Sequence, residues 1–425
     1  MPNATVEPAT KLGSEAPHIP GDKSISHRAV IFAAMADGES HVTNLAPGED
    51  VASSMRCVAA LGATVEHNNT SVRISGGGWR SPEGVLDCGN SGTTMRLLMG
   101  ALAGRGVAAT LDGDDSLRRR PMGRIADPLH ELGAEIETSE GTAPVHVCAN
   151  HPLHGGRIQM KVASAQLASS LTLAATGATG RTTIAGAGSA RDHTTLMLPH
   201  FGVAVRREGD DIVVDGPQHF HAADFRVPGD PSAAAFWLAA AAVVPNSRIV
   251  VHHVNLNPTR IGFITALERM GADITITVES EEPEPMGRIE LRTRPLRAIA
   301  IEEADVPAVI DELPLLGIVA AYASGTTTVR GARELRVKES DRIAVLARGL
   351  RALGGSITEV DDGFDVTGGM PLHGATVESG GDHRLAMAFA IAALGASSPV
   401  TIEDAGCVAI SHPSFFADLE QLCRA

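Results

Sequence analysis

Aromatic residues are scarce in this 425-residue chain, at 3%, and positive charge is outweighed to a net −15. Both shortages exclude a nucleic-acid binder, which needs a basic surface and usually stacking rings. Long apolar runs are also missing: the longest, Ala233 to Val244, has twelve residues and stops at Pro245. That is too short to span a bilayer and reads as a buried helix. The opening stretch MPNATVEPATKLGSEAPHIP has no apolar segment and no arginine. The expectation is therefore neither secretory signal nor transit peptide. The five cysteines are scattered, odd in number and nowhere spaced CxxC, so reduced thiols and a cytoplasmic location are expected. Neither a phosphate-binding GxxxxGK[ST] loop, an HExxH pair nor an EF-hand loop occurs. GAGSAR (186–191) lacks the third glycine of a dinucleotide fingerprint, and the seventeen histidines make no metal-ligand spacing. His252-His253 is read as surface or strand. No cofactor and no metal are expected.

What is present is a weak internal repeat. LGATV (61–65), LGAEI (132–136), FGVAV (201–205), MGADI (270–274) and LGGSI (353–357) each place an apolar residue, a helix-ending glycine and a short strand. Their glycines, Gly62, Gly133, Gly202, Gly271 and Gly354, are separated by 71, 69, 69 and 83 residues. Six Ala/Leu-rich helices accompany them, within 27–45, 93–111, 164–184, 231–251, 311–329 and 382–402. They are apolar nearly all round, which predicts burial. A period near 70 suits a unit of two helices and three or four strands, used six times.

Each buried helix begins with residues an N-cap needs: Lys23-Ser24, Asn90-Ser91-Gly92, Ser164-Ala165-Gln166, Asp230-Pro231-Ser232, Asp311-Glu312 and Asp382-His383-Arg384. Capping accounts for Asn90 and Asp230. It does not account for Lys23, Arg28, Gln166 and Arg384 at the same ends, where the helix dipole repels cations. Cations there make sense if an anion binds. Arg120, Lys338 and Arg342 add to the set, and Asp311 and Glu339 are the carboxylates among them. Lys338 and Arg342 are i,i+4 neighbours if ELRVKESDRI (334–343) is helical. Taken alone, that segment reads as a solvated, salt-bridged helix, and DHRLAMA (382–388) as a plain cap.

Together, PGDKSISHR (20–28), GNSGTTMRL (89–97), RPMGR (120–124), KVASAQLASSL (161–171), RDHT (191–194), VPGDPSAAAF (227–236), DELPLL (311–316), ELRVKESDR (334–342) and DHRLAMA resemble the 5-enolpyruvylshikimate-3-phosphate synthase family, in the family's order. The variants SAQ, RDHT and ELRVKES are similar to the bacterial class that includes less glyphosate-sensitive members. The resemblance implies a two-domain inside-out α/β barrel of six βαβαββ repeats, three per domain, with the substrate cleft between domains. It places one domain at 20–229, carrying most shikimate 3-phosphate contacts. The other, at 1–19 and 230–425, carries Asp311, Lys338, Glu339, Arg342 and Arg384.

The resemblance further implies transfer of the enolpyruvyl group of phosphoenolpyruvate to shikimate 3-phosphate, with release of phosphate. By position, Lys23, Ser24, Arg28, Ser164, Ala165, Gln166, Arg191, Asp311 and Lys338 hold shikimate 3-phosphate. Lys23, Gly92, Arg120, Gln166, Arg342 and Arg384 surround phosphoenolpyruvate. Asp311 is the expected base, with Glu339 and Lys23 in the other proton transfers. The implied partners are these two small molecules, with no nucleic acid, no membrane and a monomeric chain. Four positions depart from relatives. Ile410 stands where some carry a phosphate-binding lysine, and Ala165 lacks a hydroxyl beside Gln166. Gly92 stands where some insensitive members have alanine, and Leu97 where many sensitive ones have proline. Two other readings compete. A UDP-N-acetylglucosamine enolpyruvyl transferase carries a loop cysteine that DGDDSLRRRPMG (112–123) lacks. A non-catalytic binder of phosphorylated metabolites has no need of Asp311 and Glu339, and both are present.

Overall fold

The computed structural model describes residues 2–68, 70–149, 152–161, 164–188 and 190–424. The chain divides into two compact units, one of Gly21–Pro228 with Glu282–Glu284, the other of Met1–Pro20, Gly229–Glu281 and Pro285–Ala425. Three details differ from the expected boundaries. Pro20 and Gly229 fall in the second unit, because the Pro20 carbonyl accepts from Asp230 N and Gly229 N donates to the His253 carbonyl. Residues 282–284 group with the first unit, where the Glu284 carboxylate meets His193 Nδ1 at 2.8 Å, both side chains fully buried.

The six apolar helices are α1 (Lys23–Met35), α2 (Gly92–Arg105), α3 (Ala165–Ala175), α4 (Pro231–Val243), α5 (Leu313–Ala321) and α6 (His383–Leu394). Nearly every residue on them is buried, and each unit has its own core built on three of them. An Ala-rich helix without a polar face has no stable position except between other layers, so the sheets lie outside it.

Six sheets surround these helices among the described residues, three to a unit. Two repeats of the first unit are complete in sequence. Leu86–Asp87 runs parallel to Ala109–Asp112, which pairs antiparallel with Thr142–Val147 and through it with Ile136–Ser139. Arg157–Gln159, Gly180–Ala185, Asp211–Gly216 and Val205–Glu208 repeat the pattern. The first repeat lacks its own leading strand. Phe225–Arg226, from the unit's other end, lies parallel to Gly38–Thr43 in its place.

In the second unit, Ala300–Ile301, Thr326–Val329, Gly363–Thr367 and Ser356–Val360 follow the same scheme. Arg248–Asn255, Met286–Arg292 and Asp273–Ser280 form an antiparallel three-stranded sheet. The last repeat, with Thr376–Glu378 parallel to Val400–Glu403, is completed by Ala4–Val6 from the chain start. Among the described residues each sheet is a linear order of strands and none closes into a strand barrel; the buried layer is helical. The five repeat glycines all take positive φ, between 77° and 109°, as helix-ending turns require. The strand holding His252 and His253 is Arg248–Asn255, where both rings are half exposed and face Glu15 and Glu279. No helix among the described residues is long and apolar enough to cross a membrane. All five cysteines are free thiols.

Helices α2 and α3 approach until backbone meets backbone. A Cβ at Gly100 would lie 1.9 Å from the Ser170 carbonyl oxygen. Gly100→Ala is therefore expected to cost about 1–3 kcal/mol. Gly84→Ala, where nothing lies within 4 Å, should stay within about 0.5 kcal/mol of wild type. Urea unfolding of the two variants measures the difference.

Candidate active site

In the first unit, the N-terminal turns of all three apolar helices touch. Helix α1 is capped by Asp22, which accepts from Ile25 N at 3.0 Å, so the helix starts at Lys23 rather than beyond it. Ser91, not Asn90, caps α2, accepting from Thr94 N at 3.1 Å. Asn90 instead bonds Asp114 through its amide nitrogen and receives Arg120 on its oxygen at 2.5 Å. Ser164 caps α3. Val162 and Ala163, just before it, lie outside the described residues.

Arg28 is buried one turn into α1. Its guanidinium donates to Thr194 Oγ1 at 2.8 Å, the Ser24 carbonyl at 2.8 Å and Ser169 Oγ at 2.6 Å. Every one of these partners is a neutral oxygen. Burial lowers its pKa to about 10, the sign of a cation held in poor solvation. Arg96, one turn into α2, repeats the situation. Its one hydrogen bond goes to Gln166 Oε1 at 2.7 Å, and its Nε meets no partner among the described residues. Burial, with the like charges of Arg124 and Arg120, brings it to about 10 as well. Gln166 completes the link by donating to Thr93 Oγ1 at 3.0 Å. Gly92 lies against the same guanidinium groups: a Cβ there would sit 3.0 Å from Arg96 Nη1 and 3.3 Å from Arg120 Nη1. Lys23 is neutralised by Asp50. Burial would raise the Asp50 carboxyl, but that lysine holds it below the usual range. Ala165 gives Ser169 a backbone oxygen at 2.6 Å. Arg191 sits near enough to Arg28 to depress its pKa.

The second unit brings its three N-terminal turns together with carboxylates among the arginines. Asp230 caps α4, accepting from Ser232 N at 2.8 Å, and Asp382 caps α6, accepting from Arg384 N at 2.9 Å. Glu312, before α5, caps nothing; it accepts from Ser232 Oγ and lies 3.4 Å from Arg384. Burial raises its carboxyl above the usual range. Asp311 has Arg260 Nη1 at 3.9 Å from one carboxylate oxygen and Arg342 Nη1 at 3.9 Å from the other. Its carbonyl accepts from Arg384 at 3.2 Å.

Arg342 is fully buried, donating to Asp382 at 2.7 Å and to Glu339 at 2.6 Å. Burial alone would raise both carboxyls; the Arg342 charge holds both below the usual range. Burial and then Arg384 push His383 down to about 4, so this ring is neutral near pH 7. Lys338 and Arg342 are not helical neighbours. Arg333–Val337 is a short 3-10 turn, Lys338 is extended, and Asp341 caps a new helix from Arg342. Lys338 pairs with Glu334 at 2.5 Å instead. Ile410 is well exposed at the end of another 3-10 turn.

The two groups contain the expected site residues except Lys338, which pairs with Glu334, together with several the sequence did not single out: Asp50, Arg96, Ser169, Thr194 and Arg260. Arg96 carried a signal, since it is a charged residue inside an otherwise apolar helix. Asp50, Ser169 and Thr194 did not, because their roles come from tertiary contact.

The sequence matches the profile of EPSP synthase (3-phosphoshikimate 1-carboxyvinyltransferase) over residues 6–419. The chain belongs to the EPSP synthase family. A curated 3-phosphoshikimate 1-carboxyvinyltransferase of Roseiflexus sp. (strain RS-1) is 47% identical over 416 residues, covering 96% of each chain. One from Synechococcus sp. (strain RCC307) is 45% identical over 421 residues, again with 96% of each covered. The solved EPSP synthase of Acinetobacter baumannii superposes with a TM-score of 0.92 at 39% identity, over 98% of this chain and 97% of that one. The enolpyruvyl transferase NikO of Streptomyces tendae has the same fold, with a TM-score of 0.80 at 19% identity, over 99% and 97% of the two chains.

Arg96 and Arg342 should respond oppositely to substitution. Arg96→Met removes a buried cation that has no carboxylate in contact. The unliganded protein should melt at the wild-type temperature or a few degrees above it, while stabilisation by added phosphate is lost. Arg342→Met leaves Asp382 buried without its cation and should cost about 3–5 kcal/mol. Thermal melts with and without phosphate read both.

Proposed function

We propose that cations of both units, most of them in the first, hold the anionic substrates and that carboxylates of the second carry protons. The reaction is the family's own: the enolpyruvyl group of phosphoenolpyruvate moves to shikimate 3-phosphate and phosphate leaves. The observation that carries this division of labour is the burial of Arg28 and Arg96 against neutral partners alone. Such cations are the natural seat of a phosphate or carboxylate, which arginine grips through paired N–H bonds.

Shikimate 3-phosphate is recognised by Lys23, Ser24, Arg28, Ser164, Ala165, Gln166, Arg191, Asp311 and Lys338. Phosphoenolpyruvate is recognised by Lys23, Gly92, Arg120, Gln166, Arg342 and Arg384. Asp311 accepts the proton of the attacking 5-hydroxyl as its oxygen bonds to C2 of phosphoenolpyruvate. The C2–C3 π pair then takes a proton at C3, giving a tetrahedral adduct. Loss of that C3 proton re-forms the double bond as the C2–O bond to phosphate breaks. Glu339 and Lys23 handle the proton at C3 and the departing phosphate. The Glu339 carboxylate lies against Arg342, which holds it below the usual carboxylate range. General acid–base steps of this kind contribute about 10²–10⁴-fold in rate. The chain works without a metal or cofactor, as a cytoplasmic monomer, and departs from relatives that use a lysine where Ile410 stands. The UDP-N-acetylglucosamine reading is not favoured, since 112–123 contains no cysteine.

Phosphate release from phosphoenolpyruvate is expected only when shikimate 3-phosphate is added, and should fall by at least about 10²-fold in Asp311→Ala. Release with UDP-N-acetylglucosamine in its place, or undiminished turnover in the variant, contradicts the assignment. Gly92→Ala places a methyl against Arg96 and Arg120. Glyphosate competing with phosphoenolpyruvate should inhibit this variant less than wild type; equal inhibition removes Gly92 from the account.

A further inference from the structure

Arg260 belongs to no motif above, yet only 5% of its side chain is exposed. Its loop is shaped by asparagines: Asn255 Oδ1 receives Asn257 N at 2.7 Å, and Asn257 Oδ1 receives Thr259 N at 2.9 Å and Thr259 Oγ1 at 2.7 Å. The Asn257 carbonyl then accepts from Arg260 N at 2.8 Å. This loop delivers the guanidinium to the start of α4. One nitrogen, Nη2, donates to Asp230 Oδ1 at 2.7 Å and to Ser232 Oγ at 3.3 Å. The other, Nη1, lies 3.9 Å from Asp311 Oδ2. Asp230 is itself fixed as the α4 cap, so the fork ties one carboxylate to a rigid helix end and presents its remaining N–H groups to the second.

We infer that Arg260 is a positioning residue for Asp311, fixing the carboxylate's orientation and setting the pH at which it accepts a proton. The inference rests on Asp311 being the base. Among the described residues, the groups facing Asp311 include Arg260 on one oxygen, Arg342 on the other, Arg384 on its carbonyl, and the neighbouring carboxylate of Glu312. Arg342 is committed to Asp382 and Glu339, and Arg384 is shared with Glu312. Arg260 and Arg342 each anchor one nitrogen on a helix cap, Asp230 or Asp382, and each bring Nη1 to 3.9 Å from Asp311; Arg342 also carries Glu339. Losing Arg260 lets the carboxylate turn and removes a positive charge that favours its ionised form.

The experiment compares wild type, Arg260→Gln, Arg260→Lys and Asp311→Asn, reading kcat, both KM values and the pH profile of kcat/KM. Arg260→Gln should lower kcat by about 10²-fold, leave both KM values within about twofold, and move the acidic limb to higher pH. Arg260→Lys keeps the charge but cannot serve both carboxylates through one ammonium. It should lose part of kcat and keep the acidic limb near wild type. If Arg260→Gln does not fold, the lysine variant decides: a displaced limb overturns the inference, an unmoved limb with reduced kcat supports it. An unmoved limb in a folded Arg260→Gln variant overturns it too, leaving Arg260 a fastening of α4. Turnover surviving in Asp311→Asn is a different failure, since it removes the base assignment itself.

Discussion

A cation taken out of water and bonded only to neutral oxygens raises the free energy of a fold, because dipoles replace its hydration incompletely and no counter-charge repays the loss. Arg28 and Arg96 both have only neutral hydrogen-bond partners among the described residues, each one turn into a buried helix whose own dipole adds positive potential, though Asp22 and Glu284 lend Arg28 some favourable charge. Ser169, Thr194 and Gln166 hold the two guanidinium groups in place without neutralising them. The hydroxyls and amide do for the arginines what a carboxylate would do, except cancel the charge. In the proposed function, an arriving polyanion supplies what the protein withholds.

The second unit resolves the same geometry differently. Its arginines are in contact with carboxylates, through Arg342 with Asp382 and Glu339, Arg260 with Asp230, and Arg384 with Glu312. Paired in this way, the cations also tune the carboxylates beside them. Arg342 holds the half-exposed Glu339 and the buried Asp382 below the usual carboxylate range, while burial pushes Glu312 above it. Neighbouring carboxylates are thus driven in opposite directions within one cluster.

Much of this was legible in the residues. The glycine period and the all-apolar helices gave the six units, because both are local demands of backbone and burial. The helix starts exposed Lys23, Arg28, Gln166 and Arg384 because cations there oppose local stability. Tertiary contact was less legible. Asn90 and Ser91 are both good caps by type, and only the backbone path decides that Ser91 turns inward while Asn90 receives Arg120. The i,i+4 relation of Lys338 and Arg342 fails because Asp341 is a stronger helix start than anything before it, so the chain begins afresh there. The strand exchanges that complete the first and last repeats were also invisible, since Phe225–Arg226 and Ala4–Val6 are two or three residues long and take their meaning from their neighbours.

The repeat explains how one scaffold carries two chemistries. In five of the six apolar helices a side-chain cap, Asp22, Ser91, Ser164, Asp230 or Asp382, satisfies a first-turn N–H group. Residues one or two positions after the cap are then relieved of that duty, and they are Lys23, Thr93, Gln166, Ser232 and Arg384: an ammonium, two hydroxyls, an amide and a guanidinium on one backbone plan. Helix α5 departs from the rule in an informative way. Glu312 stands at its cap position but turns its carboxylate to Ser232 and Arg384, leaving the helix without a side-chain cap. Proline at the second helical position, which lacks an N–H, removes one of the donors a cap would have served. With that demand reduced, the cap residue itself joins the ion network. Asp311 immediately before it is placed between Arg260 and Arg342, so the one helix start that gives up its cap is the one that delivers the carboxylate assigned as base.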